Sequence, residues 1–159
     1  FEEMQGLAST VKKDMSLILS DAIASGQGIQ QTTKQIQERA GVEQFRARRI
    51  ARTEVLTAYR RARLDEAEQA SIEYGFKTKM LWVAAFAKTS REWHLSRHGK
   101  LYSEAEVRDF YSRDGNAINC MCTQTSVLVD ENGIPINAIL VNRLVKMKES
   151  AMSYRQELE

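Results

Sequence analysis

Proline is almost missing from these 159 residues: Pro135 is the only one, inside Asp130-Glu131-Asn132-Gly133-Ile134-Pro135, which reads as a turn. Long helices are therefore permitted almost everywhere else. Cysteine is scarce too. Two residues are too few for a disulfide scaffold, so the reducing interior of a cell is the expected setting. No apolar run approaches the roughly 20 residues a membrane helix needs, and no membrane partner is expected. The opening Phe1-Glu2-Glu3-Met4 has no basic segment followed by an apolar one, so no secretory leader is expected. Phe1 is not an initiator, and the chain is expected to be a piece of a longer protein. Phosphate-cradling glycine loops, dinucleotide fingerprints and G-x-S-x-G nucleophile turns are all absent.

What is present is a globular composition, 43% apolar and 28% charged. Phe1, Met4, Ala8, Val11, Met15, Ile18 and Ala22 recur at alternating three- and four-residue spacing, one face of a helix over about 1–24. Ser25-Gly26-Gln27-Gly28 ends it. Ile29, Thr33, Ile36 and Ala40 predict a second helix closed by Gly41, and a third runs from about Glu43 to Tyr74. The rhythm then changes. Phe76–Phe86 is rich in aromatic and β-branched residues and reads as a buried strand. Lys88–His98 reads as a helix capped by Thr89 or Ser90 and stopped by Gly99. Ser103–Tyr111 reads as a helix with a capping box from Ser103 and Glu106. Cys120–Val129 alternates like a strand, and Leu140, Leu144, Met147, Ala151, Tyr154 and Leu158 give a heptad-like final helix. The expected class is α+β and mostly helical, with a helical region at 1–75, a small α+β region at 76–135 and a C-terminal helix at 136–159. The heptad-like terminal helices could also carry self-association.

The net charge of +2 hides an asymmetry: from Lys34 to Arg63 nine basic residues face three acidic ones. On the third helix Ala47, Ala51, Val55, Ala58 and Ala62 form a narrow stripe of small residues, while Arg46, Arg49, Arg52, Arg60 and Arg63 fall on the opposite side. One reading is a solvated face of snorkelling side chains. The other is a surface for an anionic partner, DNA backbone or an acidic protein, since the planar guanidinium suits phosphate and carboxylate.

The chain's only histidines, His94 and His98, are four apart and would share a helix face. Its only cysteines, Cys120 and Cys122, are two apart and would share a strand face. Together they could complete a tetrahedral shell around a structural Zn2+. The alternative is two packed cysteines and two unrelated histidines, because C-x-C is tighter than the usual zinc knuckle. A zincin is excluded, since Leu95 stands where its catalytic glutamate would be. No orienting third group is evident for a Cys–His nucleophile pair.

Ile50-Ala51-Arg52-Thr53-Glu54-Val55 resembles the "ARTE" helix of the Mu F-like phage head morphogenesis proteins. The resemblance continues through Trp82, Thr89-Ser90-Arg91, His94, Gly99 and Asn119-Cys120-Met121-Cys122, about Gly26 to Val129. It departs from the family pattern in Ser90 between Thr89 and Arg91, in Ala87-Lys88 where an acidic residue is usual, and in Ala117-Ile118 where His-Pro commonly precedes the N-C-x-C element. The last change removes a candidate ligand, for which His98 could substitute. Arg91 and Gly99 are expected as structural motif positions. The resemblance implies a non-catalytic virion component in the capsid interior or at the portal, present in the host cytoplasm during assembly. It further implies portal, capsid and scaffold partners and contact with packaged DNA. A zinc-containing nuclease and the delivery module of a polymorphic toxin are the alternatives.

Overall fold

The computed structural model describes residues 7–156, with side chains as far as Ser153. Six helices and three strands follow in the order α1 (Ser9–Ala24), α2 (Ile29–Ala40), α3 (Gln44–Tyr74), β1 (Thr78–Val83), α4 (Glu92–Leu95), β2 (Leu101–Tyr102), α5 (Glu104–Ser112), β3 (Thr123–Leu128) and α6 (Ile139–Gln156). The chain is mostly helical with one small antiparallel sheet, the class its periodicities predict. Phe1, Met4 and Leu158 of the expected terminal stripes lie outside the described residues. No helix among the described residues is long and apolar enough to cross a membrane.

The chain divides into two compact units, the first running to Arg61 and taking in Gly115–Cys120, the second comprising Ala62–Asp114 and the chain from Met121. In the first unit α1 buries Met15, Ile18, Leu19 and Ala22. Met15, Ile18 and Leu19 form one apolar cluster with Ile36, Val42, Ala47, Ile50 and Ala51. Gly26 and Gly41 take the left-handed conformation that ends α1 and α2. Glu43 starts α3: its carboxylate accepts the backbone N–H groups of Phe45 and Arg46. The alanine stripe of α3 is buried only at Ala47 and Ala51, whereas Val55 and Ala58 are half-buried and Ala62 is exposed. Beyond Arg61 the buried residues of the helix are Leu64 and Ala67.

The second unit is built on the sheet, in the order β2-β1-β3, both pairs antiparallel. Period-two alternation divides β1 between two faces. Leu81 packs with Val127 and Leu144, joined by Val83, Leu101 and Val141. Trp82 packs against α5, stacked on Tyr111 at 5.4 Å and edge-on to Phe110 at 4.9 Å. The capping box of α5 is present as its sequence predicts, with Ser103 and Glu106 satisfying each other's backbone N–H groups.

Several expected elements are shorter in the structure. The strand expected over Phe76–Phe86 reduces to β1, and the first helix begins at Ser9. The helix expected over Lys88–His98 reduces to α4, whose N-cap is Arg91 rather than Thr89 or Ser90. Turns carry the chain from there to Gly99, so His98 falls beyond the helix. The strand expected from Cys120 begins at Thr123, and both cysteines precede it.

Candidate metal centre

Of the described residues, the side chains with which the chain could hold a metal ion are His94, Cys120 and Cys122, all buried. His94 sits in α4, where the Arg91 carbonyl accepts the backbone N–H groups of His94 and Leu95 and so starts the single helical turn. Its ring stands edge-on to Phe110 at 4.9 Å and to Trp82 at 6.4 Å, which fixes its plane within the aromatic core of the second unit. Cys122, in the same unit, enters β3 with its Sγ 3.8 Å from His94 Nδ1. Cys120 is the last residue of the first unit's inserted segment. It precedes Cys122 by two positions, so covalent geometry keeps their α-carbons within about 7 Å.

His98 does not supply the fourth ligand that helix spacing assigns to it. Its Nδ1 accepts the Ala84 N–H at 3.0 Å and its Nε2 lies 3.1 Å from the Leu144 carbonyl, so both ring nitrogens are engaged. The physical reason is the early end of α4: the i, i+4 relation places two side chains on one face only while the helix continues. Burial pushes the His98 pKa down. The Leu144 carbonyl opposes that shift and Lys148 adds to it.

Gly99 has φ +76° and donates its N–H to the Trp82 carbonyl at 2.9 Å. A Cβ there would meet Val145 Cγ2 at 3.2 Å and the Val145 backbone nitrogen at 3.3 Å, so only glycine fits without displacement. The Arg91 guanidinium lies 5.8 Å from the centre of the Trp93 ring.

The five candidate arginines divide. Arg49 is exposed, and Arg46 and Arg63 are half-buried. Arg52 and Arg60 turn inward within the first unit. Arg52 Nη1 donates to Asn119 Oδ1 at 2.9 Å, and burial followed by the neighbouring Arg48 lowers its pKa. Arg60 is 5% exposed and its Nη2 donates to the Cys120 carbonyl at 2.6 Å. The expectation that Arg60 belongs to a solvated anion-binding face is therefore corrected: its guanidinium serves the chain's own backbone. Spacing on α3 also passes over Thr53 and Asn119. The Thr53 hydroxyl donates to the Arg49 carbonyl at 2.8 Å and accepts the Asn119 N–H at 2.9 Å. The available signal was the joint presence of the Arg52-Thr53 and Asn119-Cys120 motifs, which here touch each other. Arg97 was passed over as well. Its guanidinium lies over Phe110 at 4.1 Å, Tyr102 at 4.6 Å and Trp82 at 5.4 Å, closing the second unit's aromatic core with cation–π contacts.

A family model described as Phage Mu protein F like protein matches residues 13–125. No curated protein and no solved structure matches the chain.

Proposed function

The chain belongs to the phage Mu protein F-like family, and on that premise we propose that it is a structural protein of the phage head, a minor head protein of a tailed bacteriophage. In this reading it joins the portal and capsid during head assembly, stays in the virion, and is held rigid by one structural zinc ion. The observation that carries the head-protein reading is the length of the family match, which takes in both the Arg52-Thr53 helix and the Asn119–Cys122 segment.

The zinc would be held by His94 and Cys122, with Cys120 brought within reach by the chain. In a tetrahedral site a nitrogen and a sulfur ligand lie about 3.6 Å apart, given ordinary zinc–ligand distances. The 3.8 Å separation of His94 Nδ1 and Cys122 Sγ suits that spacing. Two thiolates and an imidazole form a soft donor set that favours zinc over magnesium or calcium. The ion would clamp α4 to the entry of β3.

With His98 otherwise engaged, the fourth position falls to a water or a partner's side chain. Three protein ligands and one open position is also how catalytic zinc sites are made, which keeps the nuclease alternative in play. Burial of all three residues, and the absence of a carboxylate from the group, favour the structural role. Incubation of the pure protein with plasmid and Zn2+ or Mg2+ should leave the DNA intact, and nicking that is lost in Cys122→Ala would establish the enzyme instead.

The head-protein reading is tested by co-expressing the chain with the portal and major capsid proteins of the same phage. Expected is co-purification with the portal and recovery in DNA-filled heads. Its absence from both would overturn the reading. DNA contact would use the exposed Arg48, Arg49 and Arg61, without sequence preference. Replacing all three by Glu should weaken DNA binding and flatten its salt dependence. Unchanged binding would leave this surface a solvated face.

A further inference from the structure

Within the first unit, three side chains of α3 hold one short stretch of backbone. Thr53 and Arg60 are seven residues apart, close to two full helical turns, so they lie on one face about 10 Å apart along the axis. Arg52 stands beside them. Thr53 Oγ accepts the Asn119 N–H, Arg52 grips the Asn119 side-chain oxygen, and Arg60 reaches the Cys120 carbonyl. Asn119 has φ +54°, a left-handed conformation that asparagine tolerates better than most residues. The preceding turn is closed by Ile118 N–H on the Gly115 carbonyl and Cys120 N–H on the Ala117 carbonyl. The backbone carrying the Cys120 thiol is thus fixed at its own N–H and carbonyl and at the residue before it.

We infer that Arg52, Thr53 and Arg60 are positioning residues for Cys120 as a metal ligand, so that a helix some sixty positions upstream sets the affinity of the C-x-C element for a soft divalent ion. The inference rests on the zinc reading above and adds residues that touch no metal. Thr53 Oγ and the two guanidiniums determine where the Cys120 sulfur starts from. Without them the left-handed Asn119 relaxes and the thiol no longer meets the ion without a cost in ordering. Removal of partners that orient metal ligands typically weakens metal binding about 10- to 100-fold.

Co2+ is the probe, because each thiolate bound to it contributes a sulfur-to-metal charge-transfer band in the near ultraviolet. The full chain should bind one Co2+ with the intensity of two thiolates. Thr53→Val should lose roughly half of that intensity and bind Co2+ at least about tenfold more weakly, with Cys122 and His94 still attached. Thr53→Ser, which keeps the hydroxyl, should restore both. Arg52→Met gives the same reading should Thr53→Val fail to fold. A merely structural role for Thr53 would lower the melting temperature while leaving two thiolates on the metal at unchanged affinity, and that result overturns the inference while sparing the zinc reading. A parent chain that binds no Co2+ and no Zn2+ overturns both.

Discussion

At His98 the imidazole accepts the Ala84 N–H on one nitrogen and faces the Leu144 carbonyl with the other. Only the neutral ring with its proton on Nε2 can do both. Protonation of Nδ1 would set two N–H groups against each other, and Lys148 adds unfavourable charge. The folded pKa lies below the ordinary 6.5. The unfolded chain therefore takes up the proton first as pH falls. Stability is complete above 6.5 and is lost through the window between 6.5 and the lower folded value. Urea titrations above and one unit below that value should show this loss in the parent. In His98→Asn the slope should shrink, and an equal slope in both proteins would show that another group carries it. Gly99→Ala should destabilise by about 2–4 kcal/mol, from left-handed strain and the clash with Val145. A change in urea midpoint equivalent to less than about 0.5 kcal/mol would mean that α6 shifts without cost.

Helix α5 carries its own start signal. The hydrogen bonds from the Ser103 backbone and side chain hold the Glu106 carboxyl below its usual range. Their contribution is present above the unfolded carboxylate pKa and fades as pH falls through the lower folded value. Ser103→Ala should cost about 1 kcal/mol, read as a shift in urea midpoint at neutral pH, and a value near zero would show that water replaces the cap. This element was legible because its cap is local chemistry within four residues. The long helix α3 was legible because thirty-one residues without proline or glycine leave little alternative. Helix α4 was not. It is a single turn held by burial of His94 and Leu95, and four residues carry no periodicity to read. The candidate metal residues were legible as a list, because the chain has so few soft ligands. That His98 leaves the set depends on where α4 stops, and that Arg60 turns inward depends on what Asn119 and Cys120 bring to it. Both are tertiary facts that spacing along one element cannot supply.

The chain as a whole passes between its two units at Arg61, at Asp114 and again at Cys120, so no single cut separates them. Gly115–Cys120 belongs to the first unit although the second flanks it on both sides. Within that unit Thr53, Arg52 and Arg60 of α3 bond to its end. A fragment ending at Arg61 would keep the apolar cluster of α1, α2 and α3 but would lose those partners. A buried polar group deprived of its partner typically costs about 1–3 kcal/mol, and a charged one more, so the fragment should melt well below the first unit of the full chain. A synthetic peptide covering 113–121 should restore part of that loss by binding the vacated α3 face. The measurement is the helical circular dichroism signal of fragment 1–61 on heating, with and without excess peptide. Expected is a rise in melting temperature that grows with peptide concentration, as linkage requires. The same peptide with Asn119 replaced by alanine should do less, because it lacks the amide oxygen that Arg52 grips. No shift with the parent peptide would mean that α3 packs stably without the segment and that the bonds to Asn119 and Cys120 contribute little to the first unit.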